Sequence, residues 1–143
     1  MITLFGLLVV LGLSAAAPFA AAVSPQQTSS GLSGTWYNRG TNTRDIVEVQ
    51  IYMEIFGGQY QWIIHAWGAC EPSPCDWGTA VMNAEGNGLY SATYIWNFAG
   101  AQLTIGLEGS TLVVVNMTHF TDSSGRPDYT LTDYFVQASC SYC

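Results

Sequence analysis

Lysine is absent from this 143-residue chain. Its basic residues are Arg39, Arg44 and Arg126, set against ten acids for a formal net charge of −7. Nucleic acid and anionic membrane surfaces both need a basic face opposite their phosphates, so neither is expected as a partner. Charge of either sign is scarce at 9% of residues while aromatics reach 13%, a balance that suits a compact aromatic-rich fold over a disordered chain. Helical apolar spacing is missing everywhere after the leader. There is no Gly-x-Ser-x-Gly elbow, and His65 and His119 are the only histidines. The acidic loop at 122–128 lacks the bidentate glutamate of an EF-hand. These gaps argue against an elbow-type hydrolase and against a built zinc or calcium site, so no metal and no cofactor are expected.

What is present begins with MITLFGLLVVLGLSAAAPFAAAV, an apolar run followed by small residues. It reads as a signal peptide over 1–22, with Ala20 and Ala22 favouring cleavage after Ala22, although a basic n-region is missing. No cysteine follows the apolar run, which argues against a lipoprotein anchor. The expected product is secreted or extracellular and free of the membrane after cleavage. Residues 23–32 form a polar tether, 33–138 one domain, and 139–143 a cysteine-containing tail. Four cysteines in an exported chain read as two disulfides, and the local pairing is Cys70 with Cys75 and Cys140 with Cys143. A four-thiolate zinc site would need reduced thiols in an oxidising compartment. Cys140 or Cys143 could instead link two copies.

Apolar and polar residues alternate along the chain. The clearest run is DIVEVQIYMEIF, with Val47, Val49, Ile51, Met53 and Ile55 on one face. Further strands are expected at 35–39, 60–67, 77–83, 90–98, 102–108, 111–120 and 129–137. Turn signals at Gly57-Gly58, EGNG, Ala99-Gly100, EGS and DSSGRPD separate them. Eight strands joined by short hairpins make an antiparallel meander. Closure into an up-and-down β-barrel removes both sheet edges, and a two-sheet β-sandwich is the alternative.

GLSGTWYN, residues 31–38, resembles the opening of calycin barrels, the lipocalin and avidin group, whose first strand carries Gly-x-Trp. In avidins the asparagine of that strand helps hold the ureido group of biotin, a role the resemblance would carry to Asn38. The segment HAWGAC-x4-CDWG, with FTDSSGRPDY, resembles secreted or surface bacterial domains that carry the same hairpin. That second likeness implies architecture and no chemistry.

Within HAWGACEPSPCDWG, Trp67 and Trp77 flank a hairpin tip of nine residues stapled by Cys70–Cys75 and stiffened by Pro72 and Pro74. Rigid indoles beside a fixed loop suit a barrel cap or a binding rim. Ile63, His65 and Trp67 share one face and Trp62, Ile64 and Ala66 the other, and either could point inward. An inward His65 must find a partner, and Asp76 across the hairpin is the natural one. That pair is structural, or else a base with its orienting carboxylate. His119 with Asp122 is a second candidate pair. Arg126 is expected to bind Asp122, Asp128 or Asp133, or to hold a ligand carboxylate. Asn116 heads an Asn-x-Thr sequon inside a strand and shares a face with Leu112 and Val114.

Function then divides into three classes. A non-catalytic binding module would hold a small molecule or glycan with its aromatics, and the candidate ligand residues are Asn38, Trp62, His65, Trp67, Trp77, Trp96 and Arg126. A structural extracellular domain needs nothing beyond the cap. A small barrel enzyme, hydrolase or isomerase, would use His65 with Asp76 or Asp122. The binding module is the leading expectation, and catalysis the weakest.

Overall fold

Alternation along the chain becomes eight strands, described here in a computed structural model over residues 31–40 and 42–139. They are β1 (Gly34–Asn38), β2 (Ile46–Phe56), β3 (Gln59–Gly68), β4 (Cys75–Gly86), β5 (Leu89–Ile95), β6 (Ala99–Glu108), β7 (Thr111–Phe120) and β8 (Tyr129–Gln137). Each pairs antiparallel with its sequence neighbour, and β1 returns to β8 through Trp36↔Gln137, Tyr37↔Val136 and Asn38↔Phe135. The sheet is therefore a closed barrel and not a sandwich. The leader 1–22, nearly all of the tether 23–32, and Cys140 with Cys143 lie outside the described residues.

Hairpin chemistry sets the short turns. Gly57-Gly58 and Asn87-Gly88 have positive φ at both positions, as two-residue turns matching the strand twist require. Two boundaries differ from the sequence reading. The chain turns at Trp96-Asn97-Phe98, closed by Trp96 N–H donating to Ala99 O at 2.8 Å. Ala99 and Gly100 lie in β6, opposite Phe120 and His119, so this glycine is a strand residue and not a breaker. Strand β4 starts at Cys75, because Gly68↔Cys75 and Trp67↔Asp76 continue the ladder; the tip is Ala69–Pro74, six residues and not nine.

An up-and-down meander places both described chain ends and the turns β2–β3, β4–β5 and β6–β7 at one end of the barrel. The loops β1–β2, β3–β4, β5–β6 and β7–β8 lie at the other. The terminal end is filled. Trp36, Ile51, Ile64, Leu103, Ile105, Leu112 and Phe135 are fully buried, and Trp36 Nε1 donates to Leu32 O at 2.9 Å to close the base. Along β2, Val49 and Ile51 enter this core, but Met53 and Ile55 are exposed, since the β2–β3 hairpin runs past the barrel wall.

The third strand points Trp62, Ile64 and Ala66 inward and Ile63, His65 and Trp67 outward. A bulge in β4 lies opposite the junction of Ala66 and Trp67. It is built on Gly78, whose φ of 80° suits glycine. The extra residue, Trp77, packs against the buried core. Gly68 makes room for it, because a Cβ there would sit 2.3 Å from Trp77 Nε1. The repeated Trp-Gly is thus one packing device: Gly78 makes the bulge and Gly68 takes the indole.

Candidate functional site

Four loops surround the open end, and the aromatic side chains beneath them are arranged by strand period. Tyr94, Trp96 and Phe98 alternate out of β5 into its turn. Their rings stack in a row, Tyr94 on Trp96 at 5.9 Å and 9°, Trp96 on Phe98 at 6.0 Å and 11°. Trp77 meets this row edge-on, 5.0 Å from Trp96 and 5.7 Å from Tyr94. Such edge-to-face packing is a favoured geometry for aromatic pairs. Across the opening stand Phe120 and Tyr129, 6.1 Å apart. Together with Ala99, Thr118 and Arg126, five of these rings line a cavity of about 200 Å³; Tyr94 lies behind it.

Arg126 is held by the loop it belongs to. Its Nη2 donates to Asp122 Oδ2 at 2.6 Å and its Nε to Ser124 Oγ at 2.9 Å. Its guanidinium lies 4.1 Å over the Phe120 ring and 5.4 Å from that of Phe98. Ser124 first, and Arg126 with it, hold the Asp122 carboxyl below its ordinary range. Of the partners open to Arg126 in the sequence, Asp122 is the one it takes.

Below the cavity wall the interior becomes polar. Asp45, Asn116 and Thr118 are buried, and Asp45 is 1% exposed. Asn116 Nδ2 donates to Asp45 Oδ1 at 2.7 Å, and Thr118 Oγ1 donates to Asn116 Oδ1 at 3.3 Å. The Thr43 hydroxyl joins the two acids: it donates to Asp133 Oδ1 at 3.4 Å and accepts from Asp45 N–H at 3.1 Å. Asp45 Oδ2 and Asp133 Oδ2 are buried and have no hydrogen-bond partner among the described residues. Burial pushes the Asp45 carboxyl up to about 6, the Asn116 hydrogen bond opposes this, and the Asp133 charge adds to it.

The other sequence candidates sit elsewhere. His65 Nε2 and Asp76 Oδ1 are 2.6 Å apart, but on the outer wall, with the histidine stacked on Trp67 at 3.9 Å. Asp76 is 61% exposed and also accepts from Gly78 N–H, so it is neither buried nor dependent on His65 alone. The His65 hydrogen bond is the main cause that lowers the Asp76 carboxyl. His119 pairs with Asp128 and not with Asp122, at 2.6 Å, and Asp128 accepts from Phe120 N–H as well. With His65 on β3 and His119 on β7, the two pairs occupy opposite walls, which separates the histidines as common metal ligands. Asn38 ties down the β1–β2 loop, donating to Ile46 O and accepting from Gly40 N–H. Trp62 packs inward on the terminal half. Asn116 is inside the barrel, where no glycan fits on its amide. Cys70 and Cys75 are bridged, Cα to Cα 5.5 Å.

Of the candidates, the fold brings Trp77, Trp96 and Arg126 to one cavity and leaves Asn38, Trp62, His65 and Trp67 away from it. Sequence reasoning missed Phe98, Phe120 and Tyr129, although the i, i+2, i+4 spacing of Tyr94, Trp96 and Phe98 was a usable signal. It also missed Asp45 and Asp133 as interior groups. Asp133 alternates with Tyr129, Leu131 and Phe135, the inward period of β8. No family model matches the chain, and no curated protein or solved structure is significantly similar to it.

Proposed function

We propose that this chain is a non-catalytic binding barrel whose open end takes a small molecule with a flat apolar portion. The observation that carries this is the Tyr94–Trp96–Phe98 ring row, edged by Trp77, at a cavity of about 200 Å³. Concave, aromatic-walled sites with a few polar groups are the usual form of small-ligand pockets, and this one is small among them. A glycan end is the weaker candidate, because sugars need many hydrogen-bonding groups beside an aromatic face. The His65–Asp76 pair lies on the outer wall away from the rings. The His119–Asp128 pair, beside Phe120 and Tyr129, lines a neighbouring cavity of about 420 Å³ and not the ring-walled one, which favours binding over chemistry at the latter. Secretion from the leader, a mature start near Val23, and the calycin-like relationship belong to the same reading.

Tryptophan emission during titration with a panel of small aromatic compounds and glycans tests it. Saturable quenching or a blue shift is expected with an aromatic compound, and Trp96→Ala should abolish it. A panel that leaves the emission unchanged, or a response retained in Trp96→Ala, would overturn the reading.

A further inference from the structure

The geometry points to an amine as the ligand: the aromatic rim holds a flat body, and its ammonium group reaches the Asp45–Asp133 pair beneath. This rests on the open end being the binding site and narrows what binds there.

Four observations converge. Asp45 Oδ2 and Asp133 Oδ2 are buried acceptors that no donor among the described residues reaches, and Asp45 is 1% exposed. Buried polar groups normally find partners, so two such oxygens in one region offer an entering donor a place to bind. Thr43 links the two acids, and Asn116 and Thr118 connect Asp45 upward to the cavity wall. An ammonium offers three donors and one positive charge, which suits two carboxylates and a neighbouring amide or hydroxyl oxygen.

The rim itself accepts a cation. Arg126 already lies over Phe120 and beside Phe98 at cation–π distances, with Asp122 balancing its charge. A second cation therefore meets aromatic faces and no uncompensated positive group from that loop. The chain's net charge of −7 draws cations toward it. A hydrogen-bonded chain, Thr118 to Asn116 to Asp45, leads from the cavity wall to the acids. Thr118 is part of it, and its 3.3 Å hydrogen bond to Asn116 is long enough to yield to an entering donor. A bare metal ion would use the carboxylates but give no reason for the aromatic walls.

Calorimetric titration with 2-phenylethylamine, 2-phenylethanol and calcium chloride separates the possibilities. The amine should bind at least about tenfold tighter than the alcohol at neutral pH, the least that a buried charge pair normally supplies. Asp45→Asn keeps the side-chain shape and an acceptor for Asn116, and should bring the two affinities together while alcohol binding survives and the variant still unfolds in one cooperative transition. Asp133→Asn should do the same and serves if the first variant fails to fold. Equal affinities in the parent protein would overturn the amine assignment, as would an amine preference unchanged in both variants. Calcium binding lost on Asp45→Asn, without amine binding, would make this a metal site instead. Alcohol binding without amine preference leaves the binding-barrel reading standing, whereas no binding by either organic probe removes both.

Discussion

Trp77 lies against the bare backbone of Gly68, and a Cβ added there would fall 2.3 Å from its indole nitrogen. The ring cannot retreat without leaving its edge contacts to Tyr94 and Trp96. Gly68→Ala should therefore cost about 1–3 kcal/mol, as overpacking does. It should also expose Trp77 and weaken ligand binding at the cavity. Chemical denaturation beside tryptophan emission checks both, and an unchanged midpoint would mean that the indole has another seat.

Asp45 makes stability fall as pH rises. The unfolded carboxyl ionises near 3.8 and the folded one at about 6, so the unfolded chain loses its proton first. The difference is on the order of 2–3 kcal/mol, lost between roughly pH 4 and 6 and absent above that window. Asp45→Asn should match the parent protein at about pH 4 and exceed its stability by that amount at neutral pH. Asp133 and Tyr129 on β8 are the titratable groups coupled to Asp45, and Arg44 is its chain neighbour. Thermal melts of Asp133→Asn across the same range show how much of the slope Asp133 contributes.

His65→Gln and His65→Ala should both fold and melt close to the parent protein, because the pair with Asp76 lies on the outer wall. Asp76 keeps its bond from Gly78 N–H in either variant. Its carboxyl is lowered in the folded chain, so its contribution is present at neutral pH and disappears as pH falls below the ordinary carboxylate value. Both variants lose the imidazole stack on Trp67, and the Ala variant also leaves the indole face bare of the amide that Gln can lay over it. A large loss for Ala alone would show that cover of the Trp67 face supports the hairpin.

Cys70→Ser with Cys75→Ser opens a ring of short separation, five residues, and should cost about 2 kcal/mol, toward the low end for disulfides. The ladder already continues through Gly68↔Cys75, so the tip alone should loosen. Hydrogen exchange at Ala69–Pro74, compared with the β3–β4 strands, measures the split.

Strand count and order were legible because alternation and turn chemistry are local. Barrel closure was expected only from the cost of open edges, with a sandwich as the alternative, because the β1–β8 pairing that makes it joins the two ends of the domain. Gly57-Gly58 and Asn87-Gly88 announce their turns by backbone freedom alone. The Ala99-Gly100 turn was misread for the same reason: a glycine signals freedom, and only the pairing with Phe120 and His119 shows that it lies in a strand. Trp67 and Trp77 look equivalent in HAWGACEPSPCDWG, but one bulge residue places them on opposite faces. Nothing in local spacing reports a bulge. Asp45 and Asp133 were invisible as a pair because they are 88 positions apart and meet only when β8 closes against the β1–β2 loop. The Asn116 side chain was legible as interior, because Leu112 and Val114 share its face.

The most direct test follows the indole N–H signals of the five tryptophans by NMR during titration with 2-phenylethylamine. Trp77 and Trp96 should shift together and saturate, while Trp36, sealed at the terminal end, and Trp67, on the outer wall, hold still. Saturable shifts confined to Trp62 or Trp67, or none at Trp77 and Trp96, would contradict binding at the open end.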